Sequence, residues 1–512
     1  MGSWKPFRTK SVDELCAGAD DEGSRLSRAL GGKDLVMLGI GAVIGAGIFS
    51  TLGTAAVGEP GVREGAGPAV VLSFVLLGAV CALAALCYAE LTSMIPVAGS
   101  AYTYAFATMG ELVAWIIGWD LILEYAVGNV AVAIAWSGYF QSVLEVVGVH
   151  LPGWISHSYG DVMQQLRAAS QADGGDPTRM AELQALIASA PHLFGKAVLI
   201  NVPAMAIVGV ITWVLVRGIR ESASVNNWMV IVKLVVLALF VAIGAFYIDP
   251  ANWRPFAPNG WKGIHQGAAI AFFAYIGFDA ISTAAEETKN PRRDMPVGIL
   301  GALAVCTVIY IFVGAVATGL VPYQQLQGSD PLAQALGGVG LRWLQLVLSL
   351  GAIVSMAAVL LAFQLGQPRI FFAMARDGLL PKSFAKVHPK YRTPHLTTIA
   401  TGLVVAVGAA LMDDDATYDL TNIGTLFAFL IVCLGVLILR VRRPEIPRGF
   451  RVPFVWIVAP LGAAACVYTM KGLPATAWKR FGIWLAIGIA VYFVGVLRRQ
   501  RASVDPRGAG AP

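Results

Sequence analysis

Charged residues are scarce in this sequence. Only 13% of its 512 residues are Asp, Glu, Lys or Arg, whereas soluble globular proteins carry roughly 25%. Hydrophobic residues make up 57% of the chain, and the mean hydropathy is +0.69. This composition nearly excludes a water-soluble enzyme. At about 20 residues per membrane helix, the chain has room for about twelve spans and their loops, so it predicts a polytopic membrane protein.

Signals for processing, disulfides and metals are also missing. Residues 1–33 are polar, and the first apolar run begins near Asp34 without a processing site, so we expect that run to remain as the first span. Pro6 stands where a myristoylation signal has Ser or Thr. Five of the six cysteines lie inside apolar runs and Cys16 lies in the N-terminal tail, so structural disulfides are not expected. The histidines show no metal-ligand spacing, and we expect no metal or other cofactor.

Long apolar runs such as residues 69–87 are typical of membrane helices and not of the short alternating strands of a barrel. We therefore predict an all-α membrane protein with twelve transmembrane helices. The intervals, with ends uncertain by several residues, are 34–58, 69–95, 109–146, 197–217, 223–248, 265–285, 296–320, 342–372, 395–412, 419–440, 452–470 and 481–498.

The basic residues indicate the orientation of these spans. With a cytoplasmic N-terminus, 26 of the 37 Lys and Arg residues fall in the tails and inner loops, and 10 fall in the outer loops. This positive-inside bias places both termini in the cytoplasm. It also explains the net charge of +6 without a nucleic acid partner. Residues 147–196 form a long outer loop, and its stretch 161–190, interrupted at Gly174, Gly175 and Pro177, is expected to be a helical cap.

The first span is unusually rich in glycine, at positions 39, 41, 45 and 47. Glycine costs about 1 kcal/mol per site in a helix, and unwinding at Gly45–Gly47 frees backbone N–H groups that an anionic ligand can satisfy but lipid cannot. A helix broken here would be a carboxylate receptor. The alternative is close helix packing through the small residues Gly41 and Gly45, which the spacing of this span alone favours.

The sixth span favours the receptor. It reads AFFAYIGFDA over residues 271–280, with Gly277 and Asp279 in an otherwise apolar and aromatic segment. Paired interruptions at equivalent places in two halves point to a transporter site built from an inverted repeat. The N-terminal dipole of one broken helix can hold a carboxylate, while free carbonyls of the other hold an ammonium. A zwitterionic amino acid carries both a carboxylate and an ammonium, so it is the expected ligand.

Four stretches resemble the amino acid, polyamine and organocation (APC) transporter superfamily, particularly its cationic amino acid transporter branch and bacterial relatives. They are GIGAVIGAGIF (39–49), PVAGSAYTYAFATMGELVAWIIGWDLILEY (96–125), FFAYIGFDAISTAAEETKNPRRDMP (272–296) and RIFFAMARDGLLPKSFAKVHPKYRTPH (369–395). The resemblance implies a five-plus-five inverted repeat with broken helices 1 and 6 and two peripheral helices. The expected parts are a cytoplasmic tail (1–33), two repeats (34–248 and 265–440), peripheral helices 11 and 12 (452–498) and a second cytoplasmic tail (499–512).

The resemblance also implies where a substrate is held. Its carboxylate would meet the backbone of Gly45, Ala46 and Gly47, and its ammonium would meet carbonyls around four residues: Ile44, Phe273, Ala274 and Ile276. Many family members have Ser or Thr between the two glycines. Ala46 departs from this pattern and has no hydroxyl, so the backbone N–H groups alone must bind the carboxylate. Phe273 abuts the expected break and is our candidate gate; aromatic packing is the alternative for Phe273 and Tyr275.

Lys233 lies in mid-span among apolar residues. An ammonium there costs several kcal/mol unless it is paired or neutralised, and an amine that alternates between wet and dry surroundings can take up and release a proton. The resemblance implies that it replaces the sodium ion of sodium-driven relatives; a permanently protonated structural lock is the alternative. Asp120 and Glu124 lie one turn apart on the third span. Glu124 is the preferred carboxylate to pair with Lys233 in proton coupling.

The leading hypothesis is a proton-coupled importer of L-amino acids in the plasma membrane, the inner membrane of a bacterium. The rivals are an exchanger or uniporter for cationic amino acids or polyamines, a nutrient receptor with the transporter fold and, less supported, a membrane enzyme. Met356 is expected to shorten the side-chain pocket and leave it apolar. Small or medium neutral amino acids are therefore expected over arginine and lysine, although Asp279 could face a cationic side chain. Whether an accessory subunit binds is left open.

Overall fold

The computed structural model describes most of the chain as helix. The described residues are 8–11, 14–15, 30–97, 99–171, 177–193, 196–217, 223–386 and 393–504. Cys16, Gly174 and Gly175, which entered the sequence predictions, lie outside these ranges, as do most of the two predicted tails.

The described α-helices are α1 (Gly32–Val43), α2 (Leu52–Val57), α3 (Val70–Met94), α4 (Ser100–Thr108), α5 (Glu111–Val146), α6 (Gly153–Ser156), α7 (Tyr159–Gln171), α8 (Pro177–Ser189), α9 (Val202–Arg217), α10 (Ala223–Gly244), α11 (Gly260–Ala271), α12 (Pro291–Leu320), α13 (Pro331–Gly338), α14 (Arg342–Arg376), α15 (His395–Leu411), α16 (Asp414–Arg442), α17 (Val455–Met470) and α18 (Ala475–Val504).

Shorter elements join these helices. A π-helical turn covers Gly47–Thr51 between α1 and α2. The 3₁₀ turns are Gly67–Ala69, Ala245–Tyr247, Pro250–Trp253, Phe272–Tyr275, Asp279–Glu287, Tyr323–Leu326 and Lys382–Ala385. Two antiparallel ribbons pair β1 (Gly58–Glu59) with β2 (Arg63–Glu64), and β3 (His192–Leu193) with β4 (Lys196–Ala197).

The predicted apolar intervals coincide with helical segments. Within the described residues, eight helices are long and apolar enough to cross a membrane, and the bent pair Gly32–Val43 and Gly47–Val57 is a ninth candidate. Three shorter apolar helices, α9, α15 and α17, occupy the remaining predicted intervals. An all-α membrane protein is therefore confirmed. Helix α4 is not among the predicted spans, because its sequence is only moderately apolar. Its nine residues are all buried, so their polar groups are covered by other helices.

The helices pack around the segments where α1 and α11 end. Helix α5 lies along α14 and α16, α3 lies along α12, and α1 is packed between α12, α10 and α14. The bent pair that contains α1 turns by 40°. Because all of these helices bury large apolar surfaces together, the polar backbone exposed at the bend must find partners inside the bundle.

The long loop predicted as a cap contains the short helix α6 and two longer helices, α7 and α8, which pack against each other. They share a small apolar core of four buried side chains: Val162, Leu183, Ala190 and Leu199. The Ser158 hydroxyl donates to the Met412 carbonyl at 2.8 Å, which ties this unit to the end of α15. Its placement on the outer side of the membrane stays a prediction.

Ion pairs lie near the ends of the long helices. At one end, Arg63 bonds Asp419 at 2.6 Å and also pairs with Glu59. At another, the buried Glu90 carboxylate accepts from Arg440 at 2.8 and 2.7 Å and from Arg448 at 3.1 Å. These pairs connect loops to helix termini, and the pairing offsets part of the cost of burying charge.

Candidate substrate and coupling site

The first break is the segment of residues 44–47, between the end of α1 and the π-helical turn. Ile44 has extended backbone angles, φ −77° and ψ 101°, and the chain resumes as a wide turn from Gly47. The predicted unwinding in the first span is confirmed, and it begins at Ile44, one residue before the predicted Gly45.

The first break has unused backbone donors. Among the described residues, no backbone or side-chain acceptor is found for the N–H groups of Gly45, Ala46 and Gly47, whereas the N–H of Ile44 still donates to Ile40 at 3.0 Å. Three consecutive N–H groups at the start of a helical segment form a site suited to an anionic group. The geometry therefore agrees with the carboxylate receptor proposed from the glycine pattern.

The two glycines of the first break face different neighbours. A Cβ atom added at Gly47 would collide with the backbone of Ala274. One added at Gly45 would come within 2.6 Å of the Val359 side chain in α14. Gly47 thus allows direct backbone contact with the second interrupted helix, while Gly45 allows close packing against a side chain that can move.

The second break is the segment of residues 272–278, after α11. It consists of a 3₁₀ turn, an extended Ile276 with ψ 137°, and Gly277 with φ +118°. The positive φ requires glycine, and a Cβ there would also come within 2.8 Å of the Ala42 carbonyl oxygen. The predicted interruption at Gly277 is confirmed.

Asp279 closes the second break locally. Its Oδ1 accepts a hydrogen bond from the Gly277 N–H at 3.3 Å, and its side chain is buried. Asp279 therefore caps the backbone of the second break.

A tyrosine joins the two breaks. The Tyr310 hydroxyl of α12 lies 3.1 Å from the Val43 carbonyl and 2.7 Å from the Ala274 carbonyl. The hydroxyl carries one proton, so it can donate to only one of the two carbonyls at a time. Tyr310 therefore connects the end of α1 to the 3₁₀ turn of the second break.

Lys233 reaches the first break from α10. Its Nζ donates to the Gly41 carbonyl at 2.8 Å and to the Ile44 carbonyl at 2.9 Å. The Ser355 hydroxyl of α14 donates to the same Ile44 carbonyl at 2.9 Å. The lysine is fully buried, so it satisfies carbonyls that the unwinding of α1 would otherwise leave unpaired.

The expected pairing of Lys233 with Glu124 is not seen among the described residues and stays a prediction. Helix α10 packs on α1, whereas the acidic face of α5 lies toward α16: the Asp120 carboxylate abuts Gly424, where an added Cβ would be 2.7 Å from Oδ1. The lysine and the carboxylates thus face different helices, which the spacing within one helix could not reveal.

Large side chains enclose the region of the breaks. Phe273 packs edge-on against Tyr418 of α16, with ring centroids 4.7 Å apart. Tyr139 of α5 donates to the Phe49 carbonyl at 2.6 Å. Met356, on the α14 turn that carries Ser355 and Val359, is fully buried. Tyr275 donates to the Phe74 carbonyl at 2.8 Å, a structural contact with α3.

Sequence reasoning missed the polar side chains that hold the breaks from other helices. Tyr310 and Ser355 are polar residues inside apolar runs, and Asn422 lies in a more polar stretch at the start of α16, where it donates to the Ala269 and Ile270 carbonyls at 2.9 and 3.1 Å. Such isolated polar residues in a membrane helix are a usable signal, because lipid cannot satisfy them. In the described residues no group of three His, Cys, Asp or Glu side chains could hold a metal ion.

The fold and the two breaks define a helical membrane transporter. The sequence model of the family described as "Amino acid permease" matches residues 30–495. The chain belongs to this amino acid permease family. The resemblance to the APC superfamily is thereby confirmed, and the chain is classed among transporters rather than enzymes.

Individual relatives cover nearly the whole chain. The methylthioribose transporter of Bacillus subtilis is 44% identical, over 95% of this chain and 97% of its own. The branched-chain amino acid permease BcaP of the same organism is also 44% identical with the same coverage. Cationic amino acid transporter 9, chloroplastic, of Arabidopsis thaliana is 35% identical over 98% of this chain and 84% of its own. A multi-pass membrane permease is therefore established.

Proposed function

We propose that this protein is a secondary active transporter that imports L-amino acids across the plasma membrane by proton symport with alternating access. The observation that carries the proposal is the meeting of the two breaks: Gly47 lies against the backbone of Ala274, beside three unused N–H donors. A single α-amino acid has the anionic and cationic groups that these two segments can hold.

The substrate carboxylate binds the N–H groups of Gly45, Ala46 and Gly47. Its ammonium binds carbonyls of the second break, at Phe273, Ala274 and Ile276. Ile44 is the weakest of the predicted ammonium contacts, because its carbonyl already accepts from Lys233 and Ser355 and a carbonyl has two lone pairs. Phe273, packed on Tyr418, is the gate that moves as the substrate enters or leaves.

Lys233 couples this site to protons. As an ammonium it makes charge-assisted hydrogen bonds to Gly41 and Ile44, and loss of its proton weakens both. Protonation therefore changes how firmly the first break is held in the conformation that presents its N–H groups. Glu124 takes part in the coupling, although no ion pair joins it to the lysine among the residues that the structure describes.

The proposed topology has twelve spans, a five-plus-five inverted repeat and two peripheral helices. Its support is the position of the breaks in the first and sixth predicted intervals and the presence of a helix in each of the twelve. Both termini lie in the cytoplasm, as the excess of Lys and Arg in the predicted inner loops requires.

The preferred substrates are small or medium neutral amino acids. The Val359 side chain lies beside Gly45 of the first break, and the buried Met356 is on the same turn of α14; an unpaired cationic side chain in such apolar surroundings would be costly. The name of the 44% identical branched-chain amino acid permease favours neutral substrates. The second candidate is a cationic amino acid exchanger or uniporter, which the names of the plant relatives favour.

Uptake by the purified protein in liposomes tests these proposals. Labelled alanine or leucine should accumulate when the outside is acidic relative to the inside, and a sodium gradient at equal pH should not drive it. Unlabelled amino acids then compete for uptake. Stronger inhibition by arginine than by alanine, serine or leucine would reverse the substrate assignment, and sodium-driven accumulation would reject proton coupling.

A further inference from the structure

A cavity of about 430 Å³ lies between the helices, apart from the two breaks. Its walls come from α5, α14, α15, α16 and α18, and most of its lining is apolar. Representative lining residues are Ile122, Ala126, Phe371, Val404, Ile483 and Trp484. None of the lining residues belongs to either break or to the side chains placed around the proposed amino acid site, so the cavity is separate from that site.

The cavity is open toward the lipid side of the bundle. Val404 of α15 and Ile483 of α18 belong to its lining, and 65% and 62% of their surfaces are exposed. Exposed apolar side chains on membrane-spanning helices face hydrocarbon, since water would be an unfavourable solvent for them. The natural occupant of such a lateral opening is a membrane lipid.

Arg480 gives the cavity a charged end. It lines the cavity, is exposed and stands beside Lys479 at the start of the apolar part of α18. Asp419 is close enough for its charge to interact with that of Arg480, but that carboxylate is already bonded by Arg63 at 2.6 Å. No ion pair of Arg480 is found among the residues that the structure describes.

A lipid-facing guanidinium is stabilised when it meets an anionic headgroup. Its planar donors match phosphate oxygens in a bidentate geometry, and its long stem lets the charged end extend to the interface. We propose that the cavity binds an anionic phospholipid, with the phosphate on Arg480 and one acyl chain along the groove between α15 and α18. A sterol would fill the apolar part without using the charge, which makes it the less suitable occupant.

Stability measurements on delipidated protein in detergent test this site. Phosphatidylglycerol is expected to raise the melting temperature of the wild type at lower concentration than phosphatidylcholine with the same chains. Arg480→Gln should weaken the phosphatidylglycerol effect about tenfold, the size of one lost charge-assisted contact, and should leave phosphatidylcholine unchanged. Arg480→Lys keeps the charge but loses the bidentate geometry, so it should retain only part of the preference. Lys471→Gln, an exposed basic residue outside the lining, is the matched control and should behave as the wild type.

A cavity-filling change tests the acyl chain separately. Ala400→Phe, on the exposed wall of α15, should reduce stabilisation by both phospholipids. Native mass spectrometry of the wild type and Arg480→Gln provides a reading that does not depend on the Phe variant folding: the wild type should retain phosphatidylglycerol that Arg480→Gln loses. Equal effects of both phospholipids, stabilisation by cholesterol alone, or a lipid-independent dimer that covers this face would each overturn the proposal.

Discussion

The two breaks differ in what holds them in place. The first break is held by side chains of other helices: Lys233 from α10 and Ser355 from α14 donate to the Ile44 carbonyl. The second break also receives a hydrogen bond from another helix, from Tyr310 of α12, but this donor is neutral, and the next residue after the break, Asp279, caps it by accepting from Gly277. The first break therefore depends on a charged donor from another helix, whereas the second combines a neutral donor with a local cap.

This difference suggests a division of roles between the breaks. A segment whose carbonyls depend on a titratable amine can change its conformation when that amine gains or loses a proton. A segment fixed by glycine geometry and a local cap provides a constant surface against which the first can move. Tyr310, in contact with carbonyls of both, is the connection between the responsive break and the constant one.

The largest effect is expected from Gly47→Ala, which separates the breaks. The new Cβ would collide with Ala274, so spans 1 and 6 must move apart and the N–H groups no longer face the carbonyls. We expect loss of detectable substrate binding, measured as ligand-induced thermal stabilisation.

Gly209→Ala is its matched control, because Gly209 is a helix glycine with nothing within 4 Å of an added Cβ. It should bind normally and gain up to about 1 kcal/mol of helix stability. A folded Gly47→Ala protein that binds like the wild type would show that contact between the breaks is not needed.

Lys233→Met tests whether the first break is the responsive one. The apolar side chain keeps much of the volume but removes both donors to Gly41 and Ile44. Accumulation driven by a pH gradient should disappear in proteoliposomes, while exchange of labelled for unlabelled substrate continues at a reduced rate.

Lys262→Met removes a surface ammonium that pairs with Glu64 and should leave the response to pH intact. If Lys233→Met still accumulates substrate under an acid-outside gradient, proton coupling lies elsewhere, and the buried carboxylates Asp120 and Glu124 become the next candidates.

Tyr310→Phe weakens the connection between the breaks without new steric contacts. Removing one buried hydroxyl hydrogen bond costs about 1 kcal/mol, so substrate affinity should fall about fivefold. Tyr275→Phe is the control: its hydroxyl also donates to a carbonyl, at 2.8 Å, but to Phe74 of the continuous helix α3. Affinity is measured by isothermal titration calorimetry. Equal losses of affinity in the two variants would show that the contact of Tyr310 with both breaks is not important for binding.

Met356→Ser tests the substrate pocket beside the first break. The smaller side chain should let longer amino acids, arginine among them, compete for alanine uptake, with only a few-fold loss for alanine itself. A competition panel on both proteins measures the change. Unaltered competition by every amino acid would remove Met356 from the pocket.

Much of this comparison could be predicted from the sequence. The glycine density at 39–47 and the pair Gly277 and Asp279 indicated both interruptions, because backbone strain and missing side chains are local properties. The partners of the breaks are not local. The spacing of Asp120 and Glu124 fixed their common face, but only the packing of α5 against α16 shows that this face is turned away from Lys233.

The smallest effect is expected from Ser355→Ala. The Ile44 carbonyl would lose one of its two donors and keep Lys233, so the responsive break should loosen rather than change shape. One neutral hydrogen bond is worth about 1 kcal/mol, and a few-fold fall in affinity with an unchanged dependence on the pH gradient is the expected result. Ser349→Ala is the matched control on the same helix, because its buried hydroxyl has no hydrogen-bond partner among the described residues; it should be neutral. Should Ser355→Ala instead abolish the dependence on the pH gradient, the serine would be part of the coupling mechanism, and Lys233 alone would not account for the difference between the two breaks.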